Sequence, residues 1–221
     1  MPRHPAIPWV APFVVFLALL ALRGFLPYSD RTDLVVRTVV LTAVIALVSR
    51  PVLDFRVRNW AGSLAAGVAV FALWVGPDLL FPGYRTHWLF QNFLTGSLRS
   101  SLGAEALADP LSLALRTFRA AVLVAIAEEL FWRGWLLRWL VKPDFTAVPP
   151  GTYSAQAFWI SAVLFASEHG PYWDVGLLAG IAYNWWMVRT KSLGDLIFTH
   201  GVTNACLSAF VITTGRWEYW M

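Results

Sequence analysis

The sequence predicts an all-α fold: a polytopic bundle of about seven transmembrane helices around a polar intramembrane cavity, built as one integral membrane domain over residues 1–221. Three observations lead there. Of 221 residues, 58% are hydrophobic and only 14% are charged. Mean hydropathy is +0.59. The apolar residues gather into runs long enough to cross a bilayer. In lipid, backbone N–H and C=O groups must be satisfied within the protein, which makes such runs helices. This composition excludes a soluble globular domain. The formal net charge of +4 has no basic tract behind it. Its Arg and Lys residues stand at loop ends, a pattern of membrane topology and not of nucleic-acid binding. The single cysteine, Cys206, leaves no intrachain disulfide.

The first span is residues 8–26; its apolar run is too long for a signal peptide and no small-x-small cleavage site follows it. The second is 33–49, followed by Arg50, Arg56 and Arg58, the densest basic loop. The third, 60–76, closes at Gly76-Pro77. From 79 to 109 the pattern weakens. Trp88, Leu89, Phe93, Leu94 and Leu98 recur among polar residues, which suggests an amphipathic helix on the membrane or over a cavity. Pro110 opens a long fourth helix that ends at Lys142-Pro143. The fifth span, 154–167, runs into Glu168-His169-Gly170-Pro171, which cannot continue as helix. The sixth is 175–188 and the seventh 193–214. Counting Arg and Lys places the N-terminus inside, with Arg3, Arg50, Arg56, Arg58, Arg138, Lys142, Arg189 and Lys191 on that side. Arg31, Arg85, Arg99 and Arg216 fall outside. An eighth span at 88–102 is the alternative and would reverse half of this topology.

The chemistry concentrates in the fourth helix, where Glu128, Glu129 and Arg133 interrupt an apolar stretch. Each charge costs roughly 2.5–3.5 kcal/mol near the centre of a membrane helix, so such residues face a bundle interior and carry function. Glu129 and Arg133 are i, i+4 neighbours in the acid-first order, suited to an ion pair. Glu128 is rotated about 100° from Glu129 and is left over as a candidate base. A structural charge cluster locking two helices accounts for these three residues equally well. His4 and His87 sit among loop signals and read as solvated. His169 ends a span, where an interfacial histidine is the plain alternative. His200 and Asn204 are i, i+4 on one face, where an interhelical hydrogen-bond pair is the plain alternative. Together, a carboxylate, two imidazoles and a carboxamide on three helices can activate water and stabilise an oxyanion. The other arrangement is a metal site with two His and one Glu as ligands. No H-E-x-x-H is present, which excludes the zincin arrangement.

Glu128-Glu129-x-x-x-Arg133, Phe165-x-x-x-His169 and His200-x-x-x-Asn204 resemble, in order, the three signature motifs of the CAAX protease and bacteriocin-processing family of intramembrane endopeptidases. The motif-bearing core is 111–214; the first three spans match only as generic hydrophobic helices. The resemblance implies that Glu128 activates water with His169, that His200 and Asn204 form the oxyanion site, and that Glu129 and Arg133 support them. The motifs leave glutamate and metal chemistry both open; a mechanism without a cofactor is expected, with zinc on Glu128, His169 and His200 as the metal-dependent alternative. The implied substrate is a peptide or lipidated protein in the bilayer, cut near its C-terminus, prenylated or bearing a sorting signal. Compact size and the lack of a targeting extension favour a prokaryotic plasma membrane. Two other classes fit the same residues: a non-catalytic membrane scaffold or immunity protein, and a proton-coupled carrier relaying through Glu128 and the histidines. The motifs give Glu168 no role. The predicted boundaries also place His169 near the outer end of its helix and His200 nearer the inside. A common site therefore requires a shifted boundary, a tilt or a re-entrant turn.

Overall fold

The computed structural model describes residues 4–25 and 27–221. Leu26, the predicted end of the first span, and Arg3, counted on the inside, lie outside the described residues. Seven long helices follow one another in the predicted order: α1 (Ile7–Leu22), α2 (Asp30–Val44), α3 (Trp60–Leu80), α4 (Pro110–Trp139), α5 (Ala155–Ser167), α6 (Trp173–Thr190) and α7 (Leu193–Thr214). Among the described residues there is no β-strand; one isolated bridge joins Asn92 and Gly96.

Side-chain caps start most of these helices. The Ser29 hydroxyl accepts from the Thr32 N–H, the Asn59 side chain from Gly62, Ser154 from Ala157 and Ser192 from Asp195. Asp109 accepts from the Leu111 and Ser112 N–H groups, with Pro110 at the first helical position. Gly215, at φ 68°, ends α7 in the left-handed conformation that favours glycine.

Among the described residues, five helical stretches are long and apolar enough to cross a membrane: Ile7–Phe25, Asp30–Val52, Trp60–Leu80, Pro110–Trp139 and Leu193–Thr214. The expected count of seven or eight spans is therefore not reached by length and hydropathy. α5 has only 13 residues, and α6, with 18, carries Asp174, Asn184 and Arg189. The shortness of α5 also bears on depth. Thirteen residues rise about 20 Å, less than a hydrocarbon core of about 30 Å. The chain then turns back at once through Gly170–Tyr172 into α6. Glu168 and His169 stand at this turn, and both line the same cavity as His200.

The eighth span expected at 88–102 and the amphipathic helix expected within 79–109 do not form. The segment holds one tight turn at Tyr84–Thr86 and a single turn of helix at Ala104–Leu107. Local side chains take the backbone donors a helix would use: Asn92 Oδ1 accepts from the N–H groups of Leu94 and Thr95, and Gly96 sits at φ 83°. Arg85 anchors the segment. Its Nε donates to Asp78 at 2.8 Å and its Nη1 to Asp174 and the Pro171 carbonyl, both at 2.7 Å, while the guanidinium lies 4.2 Å from the Tyr172 ring centroid. Burial works against this guanidinium, but the hydrogen bonds and charges of Asp174 and Asp78 outweigh it and raise its pKa. The clamp ties the end of α3 to the α5–α6 turn and so fixes Pro171, two residues after His169.

α7 is held against α3 by small and polar residues. A Cβ on Gly67 would meet the Thr199 carbonyl oxygen at 2.6 Å, so only glycine permits this approach. Thr203 Oγ1 donates to the Gly67 carbonyl at 2.9 Å. Fully buried Asp195 accepts from the N–H groups of Arg58 (2.9 Å) and Asn59 (2.8 Å) and from the Ser63 hydroxyl (2.9 Å). One carboxylate thereby fastens the start of α7 to the start of α3. Asp195→Ala strands three donors and is expected to lower stability by on the order of 3 kcal/mol, read as a drop in thermal midpoint in detergent. Asp54→Ala, which removes only an exposed bond to the Arg56 N–H, is expected to leave the midpoint within about 0.5 kcal/mol.

Candidate active site

Glu128 and Glu129 lie in a five-residue α-helical stretch of α4 flanked by two widened segments, Arg119–Val124 and Leu130–Leu136. Widened i→i+5 turns are rare and recur at functional sites. They hold more residues per turn than the 3.6 of an ordinary helix, so a phase counted at 100° per residue drifts across this region. The glutamates nonetheless separate into two environments.

Glu129 is fully buried and belongs to a network. Arg133 Nη1 donates to its two oxygens at 3.0 and 3.2 Å. The same guanidinium donates from Nε to Asn184 Oδ1 at 2.8 Å and from Nη2 to the Gly180 carbonyl at 3.2 Å, with the Phe165 ring centroid at 4.6 Å. Asn184 passes the connection on, donating to the Phe158 carbonyl and the Ser161 hydroxyl. Glu129 Oε1 also lies 2.7 Å from His200 Nδ1. A carboxylate only accepts, so Nδ1–H donates and Nε2 faces the other way. Tyr183 stacks on the His200 ring at 4.8 Å between centroids.

Glu128 points into a cavity of about 490 Å³ whose lining includes Glu168, His169, His200 and Asn204. Its Oε2 has no hydrogen-bond partner among the described residues, and it lies 3.9 Å from His200 Nε2. His169 Nδ1 is 2.6 Å from the Phe165 carbonyl, which accepts, so Nδ1–H donates and the lone pair of the neutral ring sits on Nε2. The Trp74 ring meets the His169 ring edge-on at 5.2 Å. Glu168 accepts from Trp132 Nε1 at 3.1 Å through one oxygen. Asn204 Nδ2 donates to the Ala120 carbonyl at 2.9 Å, in the first widened segment of α4, leaving its second N–H uncommitted. Gly201 makes that approach possible, since a Cβ there would stand 2.7 Å from the Ala121 carbonyl oxygen.

The six residues singled out in the sequence thus fall in one connected region: Glu128, His169, His200 and Asn204 on the cavity, Glu129 and Arg133 behind it. One expected set differs. The metal alternative named Glu128, His169 and His200; His200 Nδ1 is held by Glu129 while its Nε2 lies 3.9 Å from Glu128. The side chains offering ligand atoms within 4.8 Å of one another are Glu128, Glu168 and His169. Sequence reasoning also passed over Asn184, Trp132 and Tyr183. Asn184, a carboxamide inside an apolar helix, carried a readable signal; the two aromatics did not, since their types are common at every helix surface here.

The family model described as type II CAAX prenyl endopeptidase Rce1-like matches residues 110–206. Over this segment the chain is similar to that family of CAAX endopeptidases. The match contains all six motif residues and starts at the first residue of α4. No curated protein and no solved structure matches the chain. That similarity points to a protease, and the five membrane-length apolar helices among the described residues point to an integral membrane protein.

Removing one partner of a buried ion pair costs about 3–5 kcal/mol, because the other charge stays buried without compensation. Glu129→Ala is therefore expected to lower the stability of the protein by about that amount in a detergent melt. Restoring part of the loss by the double change Glu129→Ala with Arg133→Met would show that the stranded guanidinium is the cause.

Proposed function

We propose that the chain is an intramembrane endopeptidase that hydrolyses a peptide bond near the C-terminus of a membrane-associated protein. The observation that carries this reading is the unpartnered Glu128 oxygen facing the cavity beside His169, with the neighbouring Glu129 fully engaged elsewhere. A water held between Glu128 and the His169 Nε2 lone pair loses a proton to Glu128 as its oxygen attacks the scissile carbonyl. The charge arriving on the carbonyl oxygen is met by the free N–H of Asn204 and by His200. His200 donates from Nε2 when its ring carries both protons, with Glu129 beneath it balancing the added charge. Glu128 then returns its proton to the departing amine nitrogen, and the C–N bond breaks. Arg133 touches no reacting atom; it positions Glu129 and, through it, the His200 ring.

The substrate enters from the bilayer. A prenylated or sorting-signal-bearing tail suits a cavity whose lining includes the apolar Phe16, Leu17 and Leu20 of α1. Glu128→Gln keeps the shape of the side chain and removes the base. It is expected to reduce cleavage of a C-terminal peptide library by about 10²–10⁴-fold with an unchanged thermal midpoint. Near-wild-type turnover in that variant would remove Glu128 from the role of base.

The grouping of Glu128, Glu168 and His169 favours a second reading, a metal-dependent protease. The residues fit: one Glu128 oxygen is orphaned, and the His169 Nε2 lone pair is uncommitted. A divalent ion held by these three side chains would supply Lewis acidity and a more acidic water. Glu168 then becomes a ligand rather than a bystander. Exhaustive chelation followed by elemental analysis separates the readings. Metal-free protein that still cleaves supports the glutamate mechanism, whereas activity lost and then restored by stoichiometric zinc supports the metal one.

A further inference from the structure

The catalytic cavity does not end at Asn204. Its lining continues to Arg37, Arg116 and Arg119, three arginines that the motifs do not include. Arg119 and Arg37 are 5% and 3% exposed. Their donors are under-used: Arg119 Nε and Nη1, Arg116 Nε and Arg37 Nη2 have no partner among the described residues. Arg37 Nε is paired with Asp33 at 2.8 Å, and Asp33 is also 3.9 Å from Arg23. Arg23 is itself bonded to Asp30 at 2.8 Å. Among the described residues Arg116 and Arg119 form no ion pair, and the acids nearest their cluster, Asp30 and Asp33, are held by Arg23 and Arg37. Four guanidiniums therefore share two carboxylates.

Buried guanidiniums with open N–H groups are costly unless an anion completes them. Their planar fork matches a carboxylate with two parallel hydrogen bonds. Arg119 and Glu128 lie nine residues apart on one helix and line one cavity, a separation of roughly 13 Å along the axis. Extended peptide covers about 3.3–3.6 Å per residue. A chain end at Arg119 thus leaves about four residues between it and a bond at Glu128.

We infer that Arg37, Arg116 and Arg119 form an anion site that receives the free C-terminal carboxylate of the substrate peptide and sets the distance from the chain end at which it is cut. The inference rests on the endopeptidase reading of the same cavity. It makes the enzyme a reader of chain ends: a substrate extended or amidated at its C-terminus loses the anchor whatever its sequence.

The test uses two pools of palmitoyl-anchored peptides randomised at their last four positions, one ending in the free acid and one in the amide. Both are offered to the full-length protein in detergent, with retention and cleavage read by mass spectrometry. The free-acid pool is expected to be retained roughly ten- to a hundredfold better, the scale of charge-assisted hydrogen bonds. Arg116→Gln with Arg119→Gln is expected to abolish that preference without lowering the thermal midpoint, since it removes uncompensated buried charge. Arg119→Lys, which keeps the charge and loses the fork, is expected to retain part of the preference. Equal retention of the pools, retention of neither, or a preference that survives in both variants overturns the proposal. Equal retention together with an anionic phospholipid that co-purifies with the wild type and is lost from the double variant would assign the arginines to lipid phosphate instead. Equal cleavage of acid and amide would sink the carboxylate site and leave the protease reading standing. An acid preference without any cleavage would do the reverse.

Discussion

The fully buried Glu129–Arg133 pair is the contact on which the site depends. A guanidinium placed among apolar helices must have every donor answered, and here the answers come from three helices: Glu129 on α4 itself, and Asn184 and Gly180 on α6, with Asn184 relaying to Phe158 and Ser161 on α5. The carboxylate in turn holds His200 of α7 by Nδ1. Removing any one member strands a polar group in a medium that cannot solvate it. Such a network fixes the relative rotation of four helices more narrowly than apolar packing alone, because hydrogen bonds tolerate less error in distance and angle than dispersion contacts do.

With Glu129 so committed, Glu128 is free to be different. The two glutamates are adjacent in sequence and identical in type, yet one is locked to an arginine and a histidine while the other has an oxygen facing a cavity with no partner. Division of labour between like groups through unlike surroundings is a general way to obtain two functions from one residue type. The widened turns on either side of the pair assist. They open α4 locally, present the Ala120 carbonyl to Asn204, and let Gly201 bring α7 close. The same cavity then runs on to Arg37, Arg116 and Arg119, which have donors without partners among the described residues.

Around this centre the scaffold is built from closely spaced backbones and from carboxylates that accept several donors. Gly67 admits Thr199 and Thr203 of α7, Asp195 gathers the start of α3, and Arg85 pins the α5–α6 turn from the membrane edge. Between helices that are apolar on all sides, burial of hydrophobic surface gains little over contact with lipid tails, so small residues and satisfied polar groups carry the specificity of packing.

Much of this was written in the sequence. Length and hydropathy gave helices and their order, because the bilayer penalises every unsatisfied backbone group and leaves few alternatives. Proline, serine, asparagine and aspartate placed the helix starts, since caps act through neighbours one to three residues away. Glu128, Glu129, Arg133, His169, His200 and Asn204 were visible as polar residues in apolar runs and by their four-residue spacings. The sequence erred where local chemistry competed with periodicity: the loop around Asn92 and Gly96 has the hydrophobic spacing of an amphipathic helix but gives its backbone donors to side chains. The expected span count is not confirmed, because α5 is too short and α6 too polar to meet the length and hydropathy of a spanning helix. Only the tertiary structure decided how the site is assembled. Whether His200 meets Glu128 or Glu129, whether His169 and His200 line one cavity, and whether Arg116 and Arg119 find acids are questions about residues up to some eighty positions apart. Pairings over such separations depend on helix rotation and on close approach at single glycines, which no local pattern in the chain records.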